Sequence, residues 1–164
     1  MNRVKHYLKE IAIFIVVMTI FANIISIYKS SDLNSEALTL NSLTLMDNKL
    51  YIFDDDKPVL IHFWATWCPT CKLEASNIEM ISKDYNVITI AVNSGLDTQI
   101  KGYLDKNDFT FNVVNDQESI YASEFKIAAY PTTFIYDKNR DLVFSEVGYT
   151  STVGLYFRMW WAGI

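Results

Sequence analysis

Cysteine and histidine are both scarce in this chain of 164 residues, which has two of each. Cys68 and Cys71 stand two residues apart in a single motif, so no framework of structural disulfides can be built, and a domain of about 130 residues buries a core without one. His6 and His62 lie far apart in the sequence, which leaves the cysteine pair short of the four ligands that zinc takes. Positive charge is also in short supply. Residues 31–164 hold 10 Lys and Arg against 18 Asp and Glu. Without a basic patch to collect phosphates, nucleic acid is excluded as a partner. The same acidity repels anionic lipid headgroups, so any membrane contact by this part must be apolar. The simplest reading of the charge is solubility. There are no internal repeats.

What the chain does have at its start is one long apolar run. Ile11 to Tyr28, "IAIFIVVMTIFANIISIY", is 18 residues without a charge, just enough for a helix to cross a bilayer. Arg3, Lys5 and Lys9 precede it, which predicts a cytoplasmic N-terminus and an exported remainder. A cleaved signal peptide is the alternative, but it would end in small residues around a cleavage site. No cysteine follows that could carry a lipid. Residues 1–30 are therefore read as a cytoplasmic stub and transmembrane anchor, 31–42 as a linker rich in Ser, Asn and acidic residues, and 43–164 as one folded domain.

Within that domain, "SLTLMDNKLYIF" alternates around Asp47-Asn48 as a hairpin would. "VLIHFWA", 59–65, is apolar on both faces and suits a central strand. A helix follows from about Pro69 to Lys83, with proline at the first helical position, where no N–H is needed. "NVITIAVN" reads as a strand, "LDTQIKGYLDKN" as a helix, "FNVVND" as a short extended piece and "ESIYASEF" as a short helix. "TTFIYD" and "LVFSEV" form a hairpin, and the chain ends in a helix from Ser151. A parallel βαβ followed by an antiparallel hairpin makes an α/β fold with a mixed central sheet flanked by helices.

A Cys-x-x-Cys directly after the first βαβ strand is a thioredoxin-like redox motif. "FWATWCPTC", 63–71, followed some 60 residues later by "YPTTFIYD", resembles the thioredoxin superfamily over nearly all of residues 40–164. With the N-terminal anchor, the chain is most similar to the membrane-tethered, exported thioredoxins of the TlpA/ResA type. The tail "GYTSTVGLYFRMWWA" resembles the suppressor-of-copper-sensitivity D-like branch. This implies a thioredoxin-like fold and a place in the bacterial inner (cytoplasmic) membrane. The protein would be single-pass, with the domain facing the periplasm or cell exterior.

Only a thiolate attacks a disulfide. Cys68 falls at the helix N-terminus, where free N–H groups and the helix dipole favour a sulfur anion. It is expected to be the exposed nucleophile, and Cys71, one turn in, the buried resolving thiol. A staple closing so short a loop would remove little chain entropy, whereas Cu(I), content with two soft sulfurs, remains a rival use of the pair. Pro69-Thr70 brings no positive charge between the cysteines, which argues against a strong oxidant.

Cys71, Glu74, Ile78 and Ile81 share one helical stripe, opposite Lys72, Ser76, Glu79 and Lys83. Glu74 is therefore expected on the buried side with a raised pKa, suited to act as base for Cys71. The TlpA/ResA resemblance implies a functional glutamate at this offset. It also places His62 where thioredoxins have a proton-relaying aspartate, so His62 could share that work with Glu74 or be a core histidine bonded to its surroundings. Ser76 replaces a helix-kinking proline, which implies a straighter helix. Pro131 matches the superfamily's cis-proline, and Tyr130 would offer backbone groups to an extended substrate. Trp67 is expected at the rim and Trp64 in the core. The C-terminal helix should either be fully buried or set an aromatic face into the headgroup region.

These residues define an expected membrane-anchored protein disulfide oxidoreductase, needing no cofactor beyond its own sulfurs. It would reduce exported thiol/disulfide proteins with electrons from a transmembrane thiol carrier. The alternatives are a disulfide-donating oxidase and a Cu(I)-binding module.

Overall fold

The computed structural model describes residues 6–14, 16–18, 21, 33, 36–40, 42–53 and 56–164. Much of the apolar run and of the linker therefore lies outside the described residues. Among the described residues no helix is long and apolar enough to cross a membrane.

A five-stranded sheet forms the centre. Its strands are β3 (Val59–Trp64), β4 (Asn86–Val92), β5 (Asn112–Asp116), β6 (Thr132–Tyr136) and β7 (Leu142–Val147), in the order β5-β4-β3-β6-β7. β3 and β4 are parallel, as are β4 and β5, whereas β6 is antiparallel to both β3 and β7. This is the mixed α/β sheet expected from the order of elements. β3, in the middle, is buried at every residue, as its unbroken apolar character requires.

The helices that flank the sheet are α1 (Pro69–Ser82), α2 (Asp97–Lys106), α3 (Ile120–Glu124) and α4 (Thr152–Ala162). One core layer joins Leu60 and Trp64 of β3 to Ile78 and Ile81 of α1, Ile100 of α2, and Leu155 and Met159 of α4. The opposite layer joins Ile61, Phe63 and Phe134 to Ala122 and Phe125 near α3. Alternate residues of β3 thus serve opposite layers, as the period of two dictates.

A separate two-stranded sheet, β1 (Ser42–Thr44) with β2 (Leu50–Ile52), is the hairpin around Asp47-Asn48. Asn48 takes the left-handed conformation its turn requires (φ 62°). Leu33 and Leu38 upstream are buried in the second core layer, and Leu38 N donates to Arg140 O at 2.9 Å. Within the segment read as a linker, these leucines pack on the domain, where they find apolar partners that a composition-based reading does not see.

Candidate active site

The site begins where β3 ends. Cys68 is the N-cap of α1 and Pro69 its first residue. The pair forms a disulfide with Cα atoms 5.3 Å apart. Cys71 N donates to Cys68 Sγ at 3.1 Å, so an otherwise unpartnered helix-end N–H points at this sulfur. The expected contrast in exposure is absent in this disulfide form. Cys68 is 5 % exposed and Cys71 2 %, and the Tyr130 carbonyl packs against the first sulfur. What distinguishes Cys68 is its place at the helix end.

The Tyr130–Pro131 peptide is cis, and Tyr130 O lies 3.7 Å from Cys68 Sγ. The disulfide sulfur carries no proton, so this is a contact and not a hydrogen bond. Trp67 is 56 % exposed and stands edge-on to the Tyr130 ring, with centroids 5.7 Å apart. Its indole donates to Asn93 O at 3.1 Å. Asn93 and Ser119 both take positive φ and are joined by a bond from Asn93 Nδ2 to Ser119 Oγ at 2.7 Å. Strained backbone of this kind gathers at functional sites. Trp67 and Tyr130 thus form an aromatic lip beside Cys68. Pro69 is exposed and Thr70 half-buried on the same rim, whereas Pro131 is buried. Trp64 is buried in the core.

Behind the cysteines the site is polar and enclosed. Glu74 is fully buried and accepts a bond at Oε1 from Thr150 N at 3.0 Å. Its Oε2 is buried without a protein partner. Burial pushes its pKa up to about 8, against the lowering effect of the Thr150 bond and with a further upward push from the Glu146 charge. Gly148 makes the approach of Thr150 possible. Its φ of 107° is open only to glycine, and its N–H donates to Pro131 O at 2.8 Å. One short turn therefore touches both the cis-proline and the buried carboxyl.

His62 is also buried, and its Nδ1 lies 2.9 Å from Thr133 Oγ1. Burial pushes its pKa down to about 3, so the ring is neutral at working pH. His62 pairs in register with Thr133, and Thr133 with Glu146. These three side chains therefore share one face of the sheet, the face of the layer that contains the cysteines.

Glu79 corrects the helical-stripe reading. It was placed on the solvent side, yet it is buried. Its carboxylate accepts bonds from Thr110 N (2.7 Å), Thr110 Oγ1 (2.8 Å) and Phe111 N (3.2 Å). Burial would raise its pKa, but these bonds and the Lys83 ammonium hold it below the usual range. The polar partners come from the loop before β5, which helix periodicity cannot see. Glu146, Thr150 and Arg158 were likewise missed. Arg158, the single charge in an apolar helix, was the one visible signal.

A cis-proline facing a Cys-x-x-Cys at a helix N-terminus, on this sheet, is the architecture of the thioredoxin-like superfamily. The profile of the AhpC/TSA family matches residues 35–145, and the chain belongs to that family. A thioredoxin-like protein of Haemophilus influenzae is 35% identical over 130 residues, covering 75% of this chain and 77% of that protein. The thioredoxin-like protein YneN of Bacillus subtilis is 31% identical over 67% of this chain and 64% of its own length. The thiol-disulfide oxidoreductase ResA of Oceanobacillus iheyensis is 30% identical over 54% of this chain, and the match spans about half of that relative (48%). Among solved structures, StoA from Bacillus subtilis superposes with a TM-score of 0.66 at 20% identity, over 75% of this chain and 98% of that one. The chain is thus a thioredoxin-like thiol–disulfide oxidoreductase with a close cysteine pair.

Proposed function

We propose that the protein is a membrane-tethered reductase of exported disulfides. The observation that carries this reading is Glu74, a fully buried carboxyl one helical turn beyond Cys71, with its pKa pushed up to about 8. A base of that strength can take a thiol proton near neutral pH. In the proposed cycle the Cys68 thiolate attacks a substrate disulfide, forming a mixed disulfide and expelling one substrate thiolate. Cys71 passes its proton to Glu74 and attacks Cys68 Sγ. The Cys68–Cys71 disulfide forms, and the second substrate sulfur leaves and is protonated. Two electrons have moved from the dithiol to the substrate. A transmembrane thiol carrier returns them through the reverse exchange.

Trp67, Pro69, Thr70 and Tyr130 form the rim on which an extended substrate would lie, with Tyr130 supplying backbone groups and the buried Pro131 setting their direction through its cis bond. His62, neutral and bonded to Thr133, would be a fixed polar group on the sheet face behind the cysteines and not a proton carrier. The anchor in residues 1–30 would hold the domain on the outer side of the bacterial cytoplasmic membrane. Two relatives named for thiol–disulfide exchange support that part of the reading, the ResA protein above and a thiol:disulfide interchange protein DsbE of Haemophilus influenzae, 29% identical over 59% of this chain.

The test is the redox state in living cells. Acid-quenched and alkylated cells should show Cys68 and Cys71 mostly reduced, and they should shift to the disulfide when the transmembrane donor is deleted. A pair mostly oxidised in both strains would overturn the reductase reading in favour of a disulfide-donating oxidase.

A further inference from the structure

Behind Glu74 stands an ion pair that the redox cycle does not use. Arg158 on α4 pairs with Glu146 on β7, and both side chains are about four-fifths buried, at 21% and 20% exposure. Thr150 joins this pair to the active site from both ends. Its Oγ1 donates to Glu146 Oε2 at 2.9 Å, and its N–H donates to Glu74 Oε1 at 3.0 Å. Arg158 is itself fixed, donating to Gly154 O at 3.0 Å and lying over the Phe144 ring at 5.8 Å.

We propose that Glu146 and Arg158 are positioning residues for the redox site, their ion pair setting the proton affinity of the Glu74 carboxyl through Thr150 and through space. Two carboxylates close together in a poorly solvated site cannot both ionise freely. The Glu146 charge alone would hold the proton on Glu74, and Arg158 offsets that charge.

Burial is the largest push on Glu74, and of the charged groups around it this pair is the one linked to its carboxyl. On the same sheet face, His62 of β3 is neutral, and Thr89 of β4 and Thr133 of β6 do not titrate. On α1, Cys71 lies a turn away, Lys72 is exposed, and Glu79 is turned to Thr110. On α4, Tyr156 is turned to Asp84. The helix thus does more than cover the sheet, since it carries the cation that tunes the base.

The inference rests on Glu74 being the base for Cys71, and two readouts separate the two ideas. In the first, the reduced protein is labelled with 13C glutamate, the Glu74 carboxyl is assigned from Glu74→Gln, and its titration is followed by NMR. In the second, Cys68 is loaded with glutathione as a mixed disulfide, and glutathione release is timed across the neutral and alkaline range. Glu146→Gln removes the charge and keeps an acceptor for Thr150, and it should lower the Glu74 midpoint by about one unit. Arg158→Gln leaves Glu146 unpaired and should raise the midpoint by a similar amount, and Arg158→Lys should bring it back. The pH profile of glutathione release should move with it. If both neutral variants leave the midpoint unmoved, or move it in the same direction as a merely loosened fold would, the inference is overturned. If the Glu74 midpoint moves as stated while glutathione release does not, the coupling stands and the role of Glu74 as base is refuted.

Discussion

Glu74 and Glu79 leave the same helix and are both buried, yet their chemistry diverges. Glu79 accepts three hydrogen bonds and a lysine contact, so it stays ionised. Glu74 accepts one from Thr150, and its second oxygen has no protein partner, so it holds its proton to about pH 8. The first is a clamp on the loop before β5, and the second can exchange a proton. Glu79→Gln should therefore cost about 2 kcal/mol of stability by urea unfolding and leave thiol exchange rates unchanged. Glu74 was legible in the sequence because its partners in the pattern, Cys71, Ile78 and Ile81, lie on its own helix. Glu79 was not, because its partners are Thr110 and Phe111, about thirty residues away. The two sulfurs diverge as well. With Cys71 N–H directed at Cys68 Sγ, brief alkylation of the reduced protein should label Cys68 first. Preferential label on Cys71 would reverse the roles of attacking and resolving thiol.

At the level of elements, the strands and helices of the domain followed from apolar runs and period. The apolar run 59–65 predicts β3, which is Val59–Trp64, and the helical pattern runs to Lys83, which is the C-cap of α1. The terminal helix was less legible, because its aromatic residues fit both a buried helix and a surface one. The structure excludes the fully buried form. Leu155, Met159 and Ala162 face the core, while Phe157, Trp160 and Trp161 are each 55 % exposed. The stability of α4 therefore rests on the inner stripe. Leu155→Ala should cost about 3 kcal/mol, and Trp160→Ser should stay within about 0.5 kcal/mol, both read from denaturant midpoints. Because α4 carries Arg158, loosening it through Leu155 should also blur the pH profile of mixed-disulfide resolution, an effect that Trp160→Ser should lack.

For the whole molecule, two buried titratable groups with opposite shifts shape the dependence of stability on pH. Glu74 has a folded pKa raised from 4.5 to about 8. Its contribution is fully present below pH 4.5, and it fades as pH rises to about 8, because the unfolded chain releases this proton first. His62 has a folded pKa lowered from 6.5 to about 3. Its contribution is present above pH 6.5 and fades as pH falls to about 3, because the unfolded chain binds this proton first. Between 4.5 and 6.5 the two slopes oppose and largely cancel. Outside that window Glu74 alone acts on the alkaline side, while on the acid side His62 is joined by Glu79, whose folded pKa lies below its usual value. Stability should therefore show a plateau over 4.5–6.5, with a fall of about 2 kcal/mol from each edge, toward pH 3 and toward pH 8. The plateau is a property of the layer between α1 and the sheet, which buries Glu74 from the helix and His62 from β3, and neither residue alone produces it. Glu74→Gln should remove the alkaline flank and let the acid fall begin at about pH 6.5, and His62→Asn should let the alkaline fall begin at about pH 4.5 and reduce the acid flank to the part that Glu79 carries. Chemical denaturation of the oxidised protein at a series of pH values measures both flanks. An alkaline flank that survives Glu74→Gln would mean that this carboxyl does not hold its proton in the folded protein, and a base near pH 8 would then be missing from the redox site.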